Sequence, residues 1–294
     1  MKRIFIALMM FPAISLAAST RVTIGQMIEA QKVVDEKSLK YGPENVLVVF
    51  DIDHTLLTTV GDLGSSYWFS WQADLIKTAE KEPTQLFNSF PELVTQTANL
   101  FCALPMRPVE RTTASFYNGI RQSKSPMFLL TARSSEMRET TERDLLENGL
   151  PFPNPVVGKE MKEWFVGKGH FTGDLTSEEI KTSDLEKPRK VTYRNGIMMA
   201  DGQDKGALIR AFIALNKMDS IKAVILIDDS KTNVGNLDRN FANSQIDATS
   251  VHYMNEKDRF ENFKKGGTWS AEAEWATTKN SKAYTKAKQG HCRR

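Results

Sequence analysis

Val46-Leu47-Val48-Val49-Phe50-Asp51-Ile52-Asp53-His54-Thr55 decides how the rest of this 294-residue chain is read. Its first five residues form a continuous apolar run rich in β-branched side chains. Such a run suits a strand buried on both faces, as in a parallel sheet. The run passes directly into two carboxylates spaced two residues apart. In open α/β sheets the carboxyl ends of the strands border the ligand crevice, so Asp51 and Asp53 become candidate functional residues.

Two more runs of this kind follow, Met127-Phe128-Leu129-Leu130 and Ala223-Val224-Ile225-Leu226-Ile227. Helical stretches precede them at residues 112–121 and 206–215. Strands alternating with helices predict an α/β fold with a mostly parallel sheet flanked by helices. The second run ends in Thr131-Ala132-Arg133 and the third in Asp228-Asp229-Ser230, while Asp204-Lys205-Gly206 opens a helix between them. Upstream, residues 24–39 read as a helix stopped by Tyr41-Gly42-Pro43. Residues 155–157 read as one further strand. Arg194-Asn195-Gly196, between Val191-Thr192-Tyr193 and Ile197-Met198-Met199, signals a hairpin.

Residues 58–104 break this rhythm. They open on Gly61-Asp62-Leu63-Gly64-Ser65-Ser66, continue with Tyr67, Trp68, Phe69 and Trp71, and then read as two helices parted by Pro83. The stretch is taken as a helical insertion. Its aromatic residues serve either as a substrate platform or as the core of the insertion.

Carboxylates gathered at one sheet edge repel and raise one another's pKa values. A divalent cation removes the conflict, and hard oxygen donors in this number suit Mg2+. Lys205 and the Thr131 hydroxyl add positive charge and donor capacity for phosphate oxygens. An anionic nucleophile, an acid two residues on, a metal and phosphate ligands together match phosphoryl transfer.

In order and context, Asp51-x-Asp53-x-Thr55, strand-terminal Thr131, Lys205 and the Asp228-Asp229 pair resemble the four motifs of the haloacid dehalogenase (HAD) superfamily. The resemblance spans residues 46–253. Leu130-Thr131-Ala132-Arg133, Asn195-Gly196-Ile197, Asp204-Lys205-Gly206 and Ile227-Asp228-Asp229-Ser230-Lys231-Thr232-Asn233-Val234 are similar to a group of uncharacterised secreted bacterial HAD-like proteins. The resemblance implies a Rossmann-like core, residues 18–57 and 105–278, with residues 58–104 as a small helical cap over the site. It implies a Mg2+-dependent phosphatase acting on a small phosphomonoester. Asp51 would attack phosphorus, forming an aspartyl-phosphate, and Asp53 would serve as acid and then base. Thr131 and Lys205 would hold the phosphoryl oxygens. Mg2+ would sit on the Asp51 carboxylate, the Asp53 carbonyl, Asp228 and Asp229. The superfamily's dehalogenases lack the acid found at position 53, which favours phosphate chemistry. A phosphotransferase with the same intermediate, a phosphatase for nucleotides or proteins, and a non-catalytic secreted binding or effector protein stand as alternatives.

Other residues carry weaker signals. His54 reads as a space-filler within the first motif. Arg133 either touches substrate or pairs with an acid on the adjacent helix. Gly167-Lys168-Gly169 reads as a turn, and His170, His252 and His291 have no zinc-site spacing.

Composition fits this picture. Hydrophobic residues at 40% and charged residues at 26% are ordinary for a globular chain, and a net charge of +3 argues against a nucleic-acid partner. Residues 1–17 read as a signal peptide: Lys2 and Arg3, an apolar stretch, then Ser15-Leu16-Ala17 at a cleavage position. That stretch is shorter than the ~20 residues a bilayer requires. A periplasmic or secreted protein without a membrane anchor after cleavage is therefore expected. Residues 279–294 read as a basic, solvated, disordered tail. The residues favour a buried Cys102 and an unpaired thiol at Cys292, although export would permit a bond between them.

Overall fold

The protein is described from a computed structural model covering residues 19–78, 81–156, 162–167, 170–172 and 189–292. The expected signal peptide falls outside them. The apolar run ahead of Asp51 is the strand β2 (Val46–Phe50), flanked by β5 (Met127–Thr131) and β10 (Ala223–Asp228). All three are buried along their whole length. The sheet continues past β10 with β11 (Asp247–Tyr253) and then β1 (Thr20–Ile24), all parallel. Beyond β5 lie β9 (Ile197–Met199), β8 (Arg189–Arg194), β6 (Lys162–Gly167) and β7 (His170–Thr172). β9 is parallel to β5, whereas the last three are antiparallel. A mostly parallel sheet flanked by helices is therefore the fold class of this chain.

Alternation along β2 explains why both faces must be covered. Val46, Val48 and Phe50 join one apolar cluster with α1 (Ala30–Tyr41), α4 (Thr113–Gln122) and α5 (Arg138–Glu147). Leu47 and Val49 join the other with α6 (Lys205–Leu215) and α7 (Lys231–Phe241). Each fully buried Val, Leu or Phe contributes about 1.5–3 kcal/mol. The strand ends thus rest on a rigid platform. The expected hairpin is β8–β9, with Asn195 and Gly196 at φ 54° and 73°, the left-handed conformations that a tight two-residue turn needs.

Three expectations are corrected here. The helix expected at residues 24–39 begins only at Ala30, because residues 20–24 form the edge strand β1. Pro155 and Val156 lie in no strand, and Val157 falls outside the described residues. The third correction concerns the C-terminus. Between β3 (Leu57–Thr59) and β4 (Met106–Pro108), which pair antiparallel, the chain forms α2 (Ser66–Lys77) and α3 (Phe90–Ala103). Tyr67, Trp68, Phe87, Leu93 and Leu100 make a separate core there, so Tyr67 and Trp68 are core residues of the insertion. The chain after β11 joins that core: α8 (Lys257–Asn262), a π-helical turn (Phe263–Gly267), α9 (Thr268–Thr278) and α10 (Lys282–Lys288). Residues 263–278 thus pack on the insertion and not on the main core.

The basic tail is likewise ordered. Ser281 caps α10 by accepting the Tyr284 N–H at 3.1 Å, and Tyr284 and Ala287 turn one face onto α3. Lys286 and Lys288 lie in the last turn, where the helix dipole favours cations. Just beyond, Cys292 is disulfide-bonded to Cys102 of α3 across 190 residues of sequence. A loop of that length gives the bond about 5 kcal/mol in the chain-entropy account. Cys102→Ser, or reduction, is expected to free α10 while the sheet stays folded. Hydrogen exchange should then rise in residues 281–292 and remain unchanged in β2 and β10.

Candidate active site

β2, β5 and β10 end side by side, and the polar residues that follow them converge. Asp51 stands at the end of β2 and Asp228 at the end of β10. The ammonium of Lys205, the first residue of α6, lies between them, with contacts to Asp51 Oδ1 and, at 2.7 Å, to Asp228 Oδ2. Lys205 is only 1% exposed. Burial opposes its charge, but Asp228 and Asp51 outweigh that and hold its pKa above the usual range. Asp204 caps α6 by accepting the Ala207 N–H at 3.0 Å, which fixes where Lys205 begins. The adjacent Gly206 lets α6 press against α7. A Cβ there would sit 2.4 Å from the Asn236 carbonyl oxygen, displacing the helix and its lysine.

Carboxylate crowding is pronounced. Ligand oxygens of Asp51, Asp228 and Asp229 lie within 4.8 Å of one another. Burial, with the charges of Asp228 and Asp53, outweighs the pull of Lys205 and pushes Asp51 up to about 7. Burial and the charges of Asp51 and Asp228 raise Asp229 well above the carboxylate range. Donors hold the group in place. Asn233 Nδ2 reaches both Asp228 oxygens at 3.0 and 3.1 Å, and the Ser230 N–H reaches Oδ1 at 2.8 Å. The Thr55 hydroxyl donates to Asp51 Oδ2 and accepts the Asp229 N–H, each at 3.1 Å, joining the ends of β2 and β10.

Asp53 faces elsewhere. Its carboxylate receives Arg133 Nη2 at 2.7 Å, Arg133 Nε at 3.0 Å and the Thr131 hydroxyl at 3.2 Å. Burial would raise its pKa, yet the Arg133 guanidinium lowers it below the ordinary value. Arg133 thus pairs with Asp53, and the charge of Asp144 on the adjacent helix α5 also favours its guanidinium. Thr141 Oγ1 and the Phe101 ring, 4.2 Å from the guanidinium, hold it there. Of the residues singled out from sequence, Asp51, Asp228, Asp229 and Lys205 form one cluster, and Asp53, Thr131 and Arg133 form its other wall. The Asp53 carboxylate, engaged by Arg133 and Thr131, is not among the described carboxylates gathered at that cluster.

His54 is more than a filler. It adopts φ 60°, uncommon for a residue with a side chain, and is buried. Its Nε2 accepts the Ser66 N–H at 3.1 Å, which leaves Nδ1 to donate to Glu256 Oε2 at 2.8 Å. Glu256 also accepts the Thr58 hydroxyl at 2.6 Å and faces Arg107 and Arg259. Neither Glu256 nor Arg259 was visible as a site residue in the sequence, since their partners stand about 200 positions away.

Burial opposes the Glu256 charge, but hydrogen bonds from His54 and Thr58 outweigh it and lower the pKa from 4.5 to about 2. A depressed carboxylate stabilises the fold fully above its unfolded pKa and loses that contribution as pH falls through the folded value. Wild-type stability should therefore drop between pH 4.5 and about 2 more steeply than that of Glu256→Gln. Urea midpoints across that range check this.

A family model described as "Protein of unknown function (DUF2608)" matches residues 23–283. No curated protein matches the chain. Among solved structures, the chain is similar to cytosolic 5'-nucleotidase IIIB bound to cytidine. That likeness has 12% identity and a TM-score of 0.33, over 81% of this chain and 82% of the other.

Proposed function

This chain belongs to the DUF2608 family, and from its site we propose a Mg2+-dependent phosphatase of the HAD type. Its substrate would be a small phosphomonoester, and Asp51 the nucleophile. One observation carries the reading: a fully buried lysine bridges two carboxylates at adjacent strand ends, with a third carboxylate beside them. A structural salt bridge needs one acid for one lysine. Three acids around one ammonium leave an excess of negative charge that burial penalises.

The donor set fits magnesium, since it consists of hard oxygens gathered within 4.8 Å of one another, with Asp229 raised well above the carboxylate range by burial and its acidic neighbours. Asp51, Asp228, Asp229 and the Asp53 carbonyl would hold it. Bound there, Mg2+ supplies positive charge to phosphoryl oxygens. Everything else falls to the chain. Lys205 Nζ and the Thr131 hydroxyl donate to the phosphoryl group, orienting phosphorus towards Asp51 Oδ2 or Oδ1. Attack forms the Asp51–phosphorus bond as the ester oxygen leaves with a proton from Asp53. A phosphoryl dianion beside Asp53 raises its proton affinity by like-charge repulsion, which offsets the pull of Arg133. In the second half Asp53, ionised again after giving up its proton, takes one from a water that attacks phosphorus; the Asp51–phosphorus bond breaks, and phosphate leaves with the Asp51 carboxylate restored.

We also place the protein in the periplasm or outside the cell. The Cys102–Cys292 bond supports this, because oxidising compartments keep disulfides.

The test is hydrolysis of an aryl phosphate. Turnover should vanish with chelator and return with Mg2+. Added alcohols would be phosphorylated if the enzyme is instead a phosphotransferase. Failure across a broad ester panel, with Mg2+ shown to bind, would leave the binding-protein alternative standing.

A further inference from the structure

His54 stands between Asp53 and Thr55, the residues that carry the site's chemistry, yet its own side chain points away from them. Both ring nitrogens are engaged, one with the first residue of α2 and one with the residue preceding α8. We propose that His54 is a positioning residue that makes the Asp51–Thr55 loop take its working shape only when the insertion and the C-terminal helices are docked. The proposal rests on the phosphatase reading for its kinetic consequence but not for its structural one.

The geometry behind it is a continuous polar network. Glu256 receives His54, Thr58, Arg107 and Arg259, so it touches the nucleophile loop, both strands at the root of the insertion, and α8. Arg259 reaches the carbonyls of Thr59, at 3.1 Å, and Gly61, and the Asp62 carboxylate at 3.1 Å. Asp62 in turn accepts the hydroxyls of Tyr67, at 2.8 Å, and Ser270 of α9. The Tyr67 ring lies 5.3 Å from the His54 ring, centre to centre, and packs on Phe263. His54 therefore meets α2 and the residue preceding α8 directly, both root strands of the insertion through Glu256, and α9 through Tyr67 and Asp62.

The backbone of His54 gives the contact its leverage. A left-handed conformation in a residue with a side chain is about 1 kcal/mol unfavourable or more and persists only where neighbours enforce it. Backbone hydrogen bonds from the His54 N–H to the Leu57 carbonyl at 2.7 Å and from the Leu56 and Leu57 N–H groups to the Ile52 carbonyl at 2.9 Å shape the turn, and its side-chain anchors are the Ser66 amide and Glu256. Without them the loop should relax, carrying Asp53 and Asp51 with it. Thr131 and Lys205 sit on other elements and would stay in place.

His54→Asn tests this, since asparagine tolerates the left-handed backbone but is too short to span both partners. Glu256→Ala removes one partner, and Glu256→Gln restores an acceptor. For His54→Asn and Glu256→Ala, kcat on an aryl phosphate should fall about tenfold or more with KM within about twofold. Glu256→Gln should recover to within about threefold of wild type. Backbone hydrogen exchange at residues 51–57 and at Ser66 should rise in the first two variants and stay near wild type in the third. A lower Tm with kcat and loop exchange unchanged would reduce the network to a structural brace and overturn the proposal. If wild type turns over no ester while loop exchange responds as described, the phosphatase reading fails and the coupling stands.

Discussion

Asp51→Asn is expected to lower kcat for phosphomonoester hydrolysis by about 10^4-fold or more while leaving the protein at least as stable as wild type. The carboxamide is nearly isosteric, so Thr55 still finds an oxygen or nitrogen within reach and Lys205 keeps Asp228. What disappears is the only side chain of the cluster that lies at the end of the central strand between the other two. The amide cannot carry a phosphoryl group, and both halves of the reaction stop. Stability moves the other way because burial and its acidic neighbours already push Asp51 up to about 7. Removing that charge relieves Asp228 and Asp229. Initial rates and urea midpoints, measured on the same preparations, read both effects. Acid-quenched wild type should also carry one phosphoryl group on the peptide containing Asp51. Activity within tenfold of wild type would move the nucleophile elsewhere.

Lys205→Met should be the most destabilising change in the site, by about 3–5 kcal/mol in chelator. It leaves Asp51 and Asp228 facing each other in a buried space from which their shared cation has been removed. Methionine nearly fills the volume, so packing loss contributes little. Added Mg2+ should recover part of the stability, since a divalent ion supplies charge where the ammonium stood. The recovery should be larger than the stabilisation Mg2+ gives wild type, whose cluster is already partly neutralised. Turnover should stay low with or without metal, because the phosphoryl group loses its lysine. Chemical denaturation in a two-by-two design, variant against metal, separates these contributions. A metal-independent loss would mean that the acids neutralise by taking up protons.

The residues that made the site legible in the sequence are those placed straight after long apolar runs. β2, β5 and β10 are each buried on both faces and so spell themselves out in Val, Ile, Leu and Phe. β11 reads Asp-Ala-Thr-Ser-Val-His-Tyr, which hides it among polar residues although it is nearly as buried. Its Thr249 and Ser250 are buried, the latter satisfied by a hydrogen bond to Asp238 of α7. β1 was missed because an edge strand carries exposed polar residues, including the Arg21 that also pairs with Asp238. The same blindness applies to the site. Asp51, Asp53, Thr131, Lys205, Asp228 and Asp229 announce themselves by residue type and local context. Arg133 and His54 are defined only by what they touch, and those partners depend on the tertiary fold. The lysines of α10 mask the one-turn spacing of Tyr284 and Ala287.

The pairing of β1 with β11 sets the order in which the molecule can be completed. Thr20 lies beside Thr249 and Ile24 beside Tyr253, so one edge of the sheet is assembled from opposite ends of the chain. Cys292 must then find Cys102 across a similar span. Contacts this distant form late, since most of the loop-closure entropy is spent before they return anything. A chain delivered through a pore from its N-terminus can build β2 and β5 early. It must hold β1 unpaired until nearly every residue has emerged. In a chain delivered that way the acidic pocket around Asp228 would form only near the end and the covalent closure last of all. A nascent chain halted before Ala223 carries the nucleophile but has neither Asp228 and Asp229 nor β10 beside it.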